Sequence, residues 1–372
     1  MNAKLSCLSL LTTVVLFAGA SQANAQAYTF TDLGTLRGTN SQANAINDAG
    51  QVVGWASTTG DAATHATLWN GTTATDLGTL GGTNSQANAI NDAGQVVGWA
   101  STTGDAAAHA ALWNGTTATD LGTLYTVFGN HSQAYAINNA GQVAGYSDNI
   151  SAYDHAALWN GTTVTDISTG AGSYAYAIND AGQVAGGAFD FVPGSSSAGH
   201  ATLWNGISAT DLGALYGNYS RAYAINNAGQ VAGVSGIPGG FSHAVLWNGS
   251  TATDLGTLGG TNSEANAIND AGQVAGWANI TGDAVQHATL WNGSTATDLN
   301  SFLNASAVSA GWVLTHARGI NDNGWIVGDA HNSKSGVDHA FLLAPIPEPE
   351  TYAMLLVGLG LLGFIARRNK TA

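Results

Sequence analysis

The stretch that decides the fold is HATLWNGTTATDLGTLGGTNSQANAINDAGQVVGWA, residues 65–100. Close copies of it begin at His109 and His243. The shorter string AIN(D/N)xGQVxG occurs six times, and a degenerate copy, GINDNGWIVG, occupies residues 319–328. Successive copies are 44, 47, 41, 47, 43 and 52 residues apart, and each is accompanied by a His-Ala pair and a TDL-like triplet. Every element therefore occurs seven times, and strand-rich repeats of this length are typical of β-propellers.

One repeat contains four strand-like runs, SQANAIN, QVVGWA, HATLW and TTATDL. The turn DAG or NAG separates the first two runs, and Asn-Gly separates the last two. We interpret Asn-Gly as a type I′ hairpin turn because both residues tolerate positive φ, and the glycine of DAG as a left-handed residue. The pattern predicts a four-stranded antiparallel blade with ANAIN innermost. Repeated tryptophans such as Trp69 would fill the space between blades, and the repeated His and Asp would brace each blade by hydrogen bonds.

The two ends of the repeat array predict a closed ring. The array opens with YTFTDLG, a lone fourth strand, and finishes with HAFLLAP, a third strand with no partner after it. If the strand around residues 29–33 pairs with the strand that starts at His339, both ends complete the seventh blade and no sheet edge is left free. The fold class is therefore an all-β, seven-bladed β-propeller with four-stranded blades, closed by an N-terminal strand on the C-terminal repeat. An open solenoid would have no reason to divide a repeat in this way.

The composition excludes nucleic acid as a partner. Charged residues make up 8% of the chain, and the net charge is −15. An acidic surface of this kind repels phosphate backbones. Between residues 26 and 346 the basic residues are Arg37, Arg221, Arg318 and Lys334.

The first 25 residues have the pattern of a secretory signal peptide. Lys4 precedes an apolar run, and ANA at residues 23–25 is a small-residue cleavage site. We expect cleavage after Ala25 and export through the Sec machinery, which leaves residues 26–345 as the propeller body. The single cysteine, Cys7, lies in the segment to be removed, so the mature body would contain no disulfide.

Residues 346–372 contain a second targeting signal. An apolar run of fifteen residues, 352–366, would span about 22 Å as a helix, less than the roughly 30 Å hydrocarbon core. The basic residues after this run orient it with the tail in the cytoplasm. The segment resembles the PEP-CTERM sorting signal. Its motif residues are Pro347, Glu348, Pro349, Arg367 and Arg368.

The PEP-CTERM resemblance implies recognition by an exosortase, a membrane protease of Gram-negative bacteria that make exopolysaccharide. The body would be anchored in the inner membrane by the short transmembrane helix, then cut near the Pro-Glu-Pro motif and moved to the cell surface or the extracellular space. An ordinary tail anchor is the alternative.

The repeat itself resembles the bacterial extracellular repeats named for the tripeptide His-Ala-Phe, the HAF repeats. The resemblance rests on HAxLWNG, DLGTLGG and AINxxGQVVG and covers nearly the whole body. Only residues 339–341 match the tripeptide literally. The family implies export and repetition, with no established activity.

The sequence shows no catalytic motif such as Ser-His-Asp in a known order, HExxH, a P-loop or CxxC. Carboxylates that meet across blades remain open, and no cofactor is expected. The NDAGQ turns resemble calcium loops, but Asn139 and Asn227 replace the acid in two copies, and turn preference explains the pattern equally well. The candidate calcium ligands are Asp48, Asp92, Asp180, Asp270 and Asp322.

The departures from the repeat fall on one face. In a four-stranded meander the uniform DAG and Asn-Gly turns share one face, while the second loop and the link between blades lie on the other. All irregular stretches belong to the second class, and binding residues favour such loops over a rigid scaffold. Aromatic side chains there could stack on sugar rings or plug the loops. The candidate ligand-binding residues are Tyr125, Phe128, Tyr153, Phe189, Phe191, Tyr216, Tyr219 and Phe241.

These observations predict an exported cell-surface or extracellular-matrix protein without enzymatic activity. It would be a binding or structural scaffold associated with exopolysaccharide or another glycan. The alternative is a polysaccharide hydrolase or lyase with its carboxylate site on the variable face.

Overall fold

The computed structural model describes residues 28–125, 131–148, 153–169, 172–189, 199–217 and 219–346. Within these ranges the chain forms seven separate four-stranded antiparallel sheets. The sheets are the blades of a β-propeller, so the predicted fold class is confirmed. The signal peptide and the sorting segment beyond Ile346 lie outside the described residues.

The strands follow the repeat along the chain, and we number blades 1 to 7 in chain order. The chain begins with β1 (Tyr28–Asp32). Blade 1 contains β2 (Ser41–Ile46), β3 (Gln51–Ser57), β4 (Thr64–Asn70) and β5 (Thr73–Asp76). Blade 2 contains β6 (Gly81–Ile90), β7 (Gln95–Thr102), β8 (Ala108–Asn114) and β9 (Thr117–Asp120). Blade 3 contains β10 (Ser132–Ile137), β11 (Gln142–Asp148), β12 (Asp154–Asn160) and β13 (Thr163–Asp166).

The second half of the ring repeats this order. Blade 4 contains β14 (Gly172–Ile178), β15 (Gln183–Phe189), β16 (Gly199–Asn205) and β17 (Ser208–Asp211). Blade 5 contains β18 (Ser220–Ile225), β19 (Gln230–Ile237), β20 (Phe241–Asn248) and β21 (Thr251–Gly256). Blade 6 contains β22 (Gly259–Ile268), β23 (Gln273–Ile280), β24 (Gln286–Asn292) and β25 (Thr295–Asp298). Blade 7 contains β26 (Trp312–Ile320), β27 (Ile326–Asn332) and β28 (Asp338–Pro345), and β1 is its fourth strand.

The ring closes through blade 7, as the divided repeat predicts. Strand β1 pairs antiparallel with β28, and the register runs from Tyr28 opposite Pro345 to Asp32 opposite Phe341. The next amide, Leu33 N, donates to the carbonyl of Ala340 at 2.9 Å. Closure therefore gives the last blade the same four strands as the other six.

Large apolar side chains fill the spaces between blades. Trp69 of blade 1 packs in one cluster with Val327 and Leu342 of blade 7, and Leu343 of blade 7 is also fully buried. The indole nitrogens of these tryptophans have no hydrogen-bond partner among the described residues, so the side chains serve as apolar fillers. The fully buried tryptophans are Trp69, Trp113, Trp159, Trp204, Trp247 and Trp291.

The repeated His and Asp brace the blades, which confirms that prediction. In each blade the His Nδ1 on the third strand lies 2.7–2.9 Å from a carboxylate oxygen of the Asp on the fourth strand. The carboxylate also accepts the backbone N–H two residues later, as in the bond from Gly78 to Asp76 at 2.8 Å. In blade 7 the pair is His339 and Asp32, so this bond ties the two ends of the ring together.

The prediction of type I′ turns at Asn-Gly is wrong. Asn70 is the last residue of β4 and pairs with Thr73, so the two-residue loop consists of Gly71 and Thr72. Gly71 has φ 59°, whereas neither Asn70 nor Thr72 has positive φ. A single positive φ at the first loop position is characteristic of type II′ turns, where glycine is preferred. The β-branched Thr72 would not accept the second positive φ that type I′ requires.

Each inner strand contains a β-bulge, and each second strand approaches it through glycine. The register shifts between Ala43 and Ala45, which leaves Asn44 as the extra residue. A Cβ on Gly54 of β3 would lie 1.9 Å from the carbonyl oxygen of Gln42, so glycine is required there. The equivalent glycines are Gly98, Gly145, Gly186, Gly233, Gly276 and Gly328.

Among the described residues, helical structure is confined to short segments. Helix α1 (Ala305–Ala310) lies between blades 6 and 7, and 3₁₀ turns occupy Thr59–Asp61, Thr103–Asp105 and Leu299–Phe302. In the described part of the chain, no helix is both long enough and apolar enough to span a bilayer.

Candidate ligand-binding site

The seven inner strands surround a channel along the propeller axis. The face that carries the DAG turns, which we call the invariant face, lies at one end of this channel. In each blade the amide of one buried Asn donates to the backbone carbonyl of the equivalent Asn in the next blade at 2.9–3.1 Å. The seventh bond, from Asn321 to Asn47, closes the ring. The members are Asn47, Asn91, Asn138, Asn179, Asn226, Asn269 and Asn321.

A second ring lies outside the first and consists of the five candidate calcium ligands together with Asn139 and Asn227. Each side-chain oxygen accepts a backbone N–H from the neighbouring blade at 2.8–3.1 Å. Asn139 also donates to Asp92 and Asp180, and Asn227 donates to Asp180 and Asp270. The two asparagines thus separate carboxylates that would otherwise repel. No group of three or more His, Cys, Asp or Glu in the described ranges is arranged to hold a metal ion.

The opposite end of the channel, on the variable face, does not follow the repeat. At the bulge position, blades 1, 2 and 6 have asparagines that donate to an inner-strand carbonyl of the next blade, as Asn44 does to Ala87 at 2.8 Å. Blades 3, 4 and 5 have Tyr135, Tyr176 and Tyr223 at this position, and blade 7 has Arg318. A bulge re-aims the side chain that it leaves unpaired, and such bulges are frequent beside binding sites.

The tyrosines of blades 3 to 5 form a continuous aromatic cluster. The ring centroids of Tyr135 and Tyr176 lie 5.1 Å apart, and those of Tyr176 and Tyr223 lie 5.5 Å apart. Tyr174 stacks on Tyr176 at 5.7 Å and meets Tyr146 edge-on at 5.3 Å. These distances are favourable for aromatic pairs. All five rings are only partly buried, so the cluster presents aromatic surface to solvent.

The hydroxyl groups of the cluster stay protonated. Burial is the main cause that raises the pKa of Tyr146 to about 12. Burial raises the pKa of the other four as well, and for Tyr174 a hydrogen bond to Asp154 adds to the shift. The cluster therefore offers neutral hydroxyl groups together with aromatic faces.

Arg221 lies at the edge of this cluster, one blade on from Tyr174. Its guanidinium carbon is 5.9 Å from the ring centroid of Tyr176, 5.6 Å from that of Phe189 and 6.0 Å from that of Tyr219. These are cation–π distances, so the rings hold the guanidinium in place. The position is occupied by Gln42, Gln86 and Gln133 in blades 1 to 3.

Blades 6 and 7 contribute a charged group to the same end of the channel. Arg318 Nε lies 2.7 Å from a carboxylate oxygen of Asp329, yet burial outweighs this ion pair and raises the pKa of Asp329 to about 6. The other oxygen of Asp329 has no hydrogen-bond partner among the described residues. Burial and Arg318 lower the pKa of His316 to about 4, so its imidazole is neutral although it lies 3.9 Å from Asp329. Burial also raises the pKa of Glu264.

A pair of carboxyl groups borders the tyrosine cluster in blade 3. Asp148 and Asp154 are opposite each other in the pairing of β11 and β12. Burial raises the pKa of Asp148, and a hydrogen bond with Asp154 raises it further. Tyr174 donates a hydrogen bond to Asp154. Two carboxyl groups and one phenol are therefore joined by hydrogen bonds at the rim.

Two of the sequence-predicted aromatic residues come together on the variable face. Phe189 and Tyr219 meet over Arg221, and Phe189 also contacts Tyr174 edge-on at 5.9 Å. Phe128 and Phe191 lie outside the described residues. The remaining four are exposed: Tyr125 by 40%, Tyr153 by 53%, Tyr216 by 59% and Phe241 by 42%. Their role in binding stays a prediction.

The sequence-based search missed Tyr135, Tyr146, Tyr176, Tyr223 and Arg221 as site residues. They lie inside the strands of the repeat, whereas the search considered only irregular loops. A signal was present, because the repeat SQANAI becomes SQAYAI, SYAYAI and SRAYAI in blades 3, 4 and 5. Comparing the seven copies position by position would have identified them.

Comparison with known proteins identifies the C-terminal segment. Residues 345–370 match the PEP-CTERM protein-sorting motif. This motif indicates an exported protein that is anchored at the membrane until exosortase processes it. A search among curated proteins found no match.

The fold is similar to that of the β-propeller domain of the Trilobed protease from Pyrococcus furiosus, with a TM-score of 0.53 and 8% identity over 86% of this chain and 94% of that chain. That domain has an open velcro topology, whereas β1 and β28 pair here. The solved structure of TolB from Acinetobacter baumannii is also similar, with a TM-score of 0.42 and 10% identity over 68% of this chain and 64% of that chain. A puromycin-hydrolyzing peptidase of Mycobacterium tuberculosis gives a TM-score of 0.49 and 12% identity over 83% of this chain and 54% of that chain. At these identities the likeness concerns the fold alone.

Proposed function

We propose that this protein is an exported, non-enzymatic glycan-binding propeller whose site is the tyrosine cluster at the variable end of the channel. The observation that carries the proposal is the replacement of the repeat's polar residues by contacting, partly exposed tyrosines in three consecutive blades. Aromatic faces pack against the apolar faces of sugar rings, and the protonated hydroxyl groups supply hydrogen bonds. The sorting motif is consistent with a partner outside the cell, for which the exopolysaccharide of the producing cell is our candidate.

The proposal is tested by affinity electrophoresis of the purified protein against a panel of soluble glucans, galactans, uronans and amino-sugar polymers. We expect at least one polymer to retard the protein. The variant with Tyr135→Asn, Tyr176→Asn and Tyr223→Asn restores the repeat's own residue at the bulge and should bind at least tenfold more weakly. Ile207→Asn is the control, because Ile207 is 79% exposed in an Asn-Gly turn of the opposite, invariant face. Failure of every polymer to bind, or equal binding by the triple variant, would refute the proposal.

A second candidate function, a polysaccharide hydrolase or lyase, is favoured by the carboxyl pair Asp148 and Asp154. A hydrogen-bonded carboxyl pair in which one pKa is raised can supply a general acid for glycan cleavage, and the pKa of Asp148 is raised beside Asp154. The test is release of reducing ends or of unsaturated products from the same polymers. Turnover that disappears in Asp154→Asn would establish this function and displace the non-enzymatic one.

We further propose that processing removes the chain beyond about Pro349 and delivers the body to the cell surface. Mass spectrometry of the surface fraction should find no peptide that contains Arg367 and Arg368. Replacing Pro347, Glu348 and Pro349 by Ala should keep the protein in the inner membrane. An intact tail on surface protein would contradict this.

The His-Ala pairs of the seven blades also support our proposal that the body belongs to the HAF repeats. Each pair has one structural role, since the His bonds to the Asp of its blade and the side chain of the following Ala is fully buried. In blade 1 the amide of Ala66 donates to Ser85 of blade 2 at 2.9 Å. The substitution His65→Ala should therefore lower the free energy of unfolding without changing glycan binding.

A further inference from the structure

Arg221 is unusual among the four basic residues of the body in its surroundings. Arg318 pairs with Asp329, and the ammonium of Lys334 donates to the carbonyl of Ser309 at 2.5 Å. Arg37 is exposed on a loop. Arg221 is half-buried on an inner strand, and no carboxylate oxygen of the described residues lies within 4.0 Å of its guanidinium.

The surroundings of Arg221 fix its orientation and leave donors free. Three rings surround the guanidinium at 5.6–6.0 Å, and Tyr223 takes one hydrogen bond. A guanidinium has five N–H donors, so most of them remain for another acceptor. Because the rings restrict the side chain before a ligand arrives, little conformational entropy is lost on binding.

We infer that Arg221 binds the carboxylate of an acidic sugar, so that the ligand is a uronate-containing glycan. The planar fork of arginine matches a planar carboxylate in two parallel hydrogen bonds. The adjacent rings of Tyr176 and Tyr219 would pack against the sugar that carries the carboxylate. This inference rests on the proposed glycan-binding function and specifies its ligand.

The charge of the protein favours a carboxylate over a phosphate group. The net charge of the chain is −15, which disfavours a dianion more than a monoanion. One arginine neutralises the single charge of a uronate. Glu264 of the next blade also interacts electrostatically with Arg221, and burial raises the pKa of Glu264, which weakens its repulsion of a bound anion.

The test compares two trisaccharides that differ only in the carboxyl group, namely trigalacturonate and the galactotriose obtained by its carboxyl reduction. Isothermal titration uses the protein extracted from the envelope in detergent. We expect trigalacturonate to bind at least tenfold more tightly than galactotriose. Arg221→Gln should remove this preference, and Arg221→Lys should restore only part of it, because a lysine keeps the charge but not the fork. Melting temperatures verify that each variant is folded.

Arg37→Gln is the matched control, since it removes one exposed charge from the same face away from the cluster, and it should leave both affinities unchanged. Equal binding of the two trisaccharides, or an unchanged preference in Arg221→Gln, would overturn the inference but leave the proposed function intact. Binding of neither would overturn the inference for this ligand class, and retention of other polymers in the panel would then decide the proposed function. Competition by millimolar sulfate as effective as that of trigalacturonate would show a simple anion site, which also overturns the inference.

Discussion

The two ends of the channel are formed by the same seven strands, yet only one of them keeps the sevenfold pattern. At the invariant face, every blade contributes a buried Asn to one ring and an Asp or Asn to a second. Toward the variable face, the inner-strand position that Arg221 occupies in blade 5 holds Gln, Tyr, Glu or His in the other blades.

The difference follows from what each side chain bonds to. An invariant Asn bonds to its own turn and to the next blade, as Asn138 does with Gln142 and Asn179, so one substitution breaks several buried bonds. A bulge asparagine at the other end makes only partly buried bonds, as Asn44 does by donating to the carbonyl of Ala87 and accepting from Gln42. Substitution there costs about two partly exposed hydrogen bonds, roughly 1–2 kcal/mol, which leaves the position free to acquire a binding role.

The largest effect should come from breaking the ring on which both ends depend. Deleting residues 28–34 removes β1, the buried Tyr28 and Leu33, and the bond between Asp32 and His339. Each large apolar side chain contributes about 1.5–3 kcal/mol when buried. We therefore expect a loss of at least about 4 kcal/mol in the free energy of unfolding, and aggregation through the uncovered edge of β28.

The control for this deletion is a circular permutant that begins at Gly81 and carries residues 28–80 behind residue 346 on a short linker. It keeps every strand pair and should melt close to the parent. A deletion variant that melts like the parent, with a permutant that does not fold, would mean that the ring is not closed in solution.

Substitution of two adjacent glycines in β15 should distinguish a position that the blade packing requires from a position beside the candidate site. A Cβ at Gly186 would lie 1.9 Å from the carbonyl oxygen of Tyr174, whereas at Gly187 the nearest atom would be Cγ of Arg221 at 3.7 Å. Gly186→Ala should lose about 3 kcal/mol or more, and Gly187→Ala less than about 1 kcal/mol. Urea unfolding of both variants measures this. Equal losses would show that the inner strand yields to the added methyl group.

Asp329, at the variable end of the channel, should make the free energy of unfolding depend on pH. Burial raises its pKa to about 6 in the folded protein, against about 3.9 in an unfolded chain. A raised folded pKa means that the associated stability is complete below about pH 4 and is lost as the pH rises through 6, by about 3 kcal/mol.

Asn does not titrate, so the free energy of unfolding of Asp329→Asn should decline less than that of the parent between pH 4 and pH 7. Urea unfolding of both proteins at four pH values across this window gives the difference. If the two pH profiles run parallel, Asp329 does not titrate in this range.

The smallest effect is expected in the outer ring of the invariant face. Asn139→Asp removes the bonds that Asn139 donates to Asp92 and Asp180, at 3.0 and 3.1 Å, and places a third carboxylate between these two. We expect a loss of about 1–2 kcal/mol at pH 7 and low salt, reduced in 1 M salt because the repulsion is screened. Asn160→Asp adds the same charge to the same face outside the ring. An equal loss in this control would mean that only the net charge matters.

The architecture could be predicted from the sequence because the same four-strand pattern occurs seven times. Periodicity, turn residues and the repeat divided between the two ends were sufficient for the blades, for the order of the strands and for the pairing of β1 with β28. The turn type at Asn70 and Gly71 was wrong because the register of β4 and β5 decides which residues form the loop, and a register is set by pairing rather than by composition.

The candidate site was predicted only in its location. Irregular loops pointed to the variable face, whereas the clustered rings of Tyr135, Tyr176 and Tyr223 lie on regular strands. Their convergence depends on a bulge that appears only once the inner and second strands are paired. The cation–π contacts of Arg221 likewise join residues from two blades and a loop, which no local pattern reveals.

The pairing of β1 with β28 also sets how the body is tethered. Tyr28 and Pro345 are register partners at the end of blade 7 that lies on the invariant face, because β28 runs in the same direction as β4, which ends at an invariant turn. The sorting motif begins at residue 345, so the anchor leaves from this face. The C-terminal attachment point and the tyrosine cluster with Arg221 therefore lie at opposite ends of the channel, so a tether that continues from Pro345 leaves the proposed glycan site unobstructed.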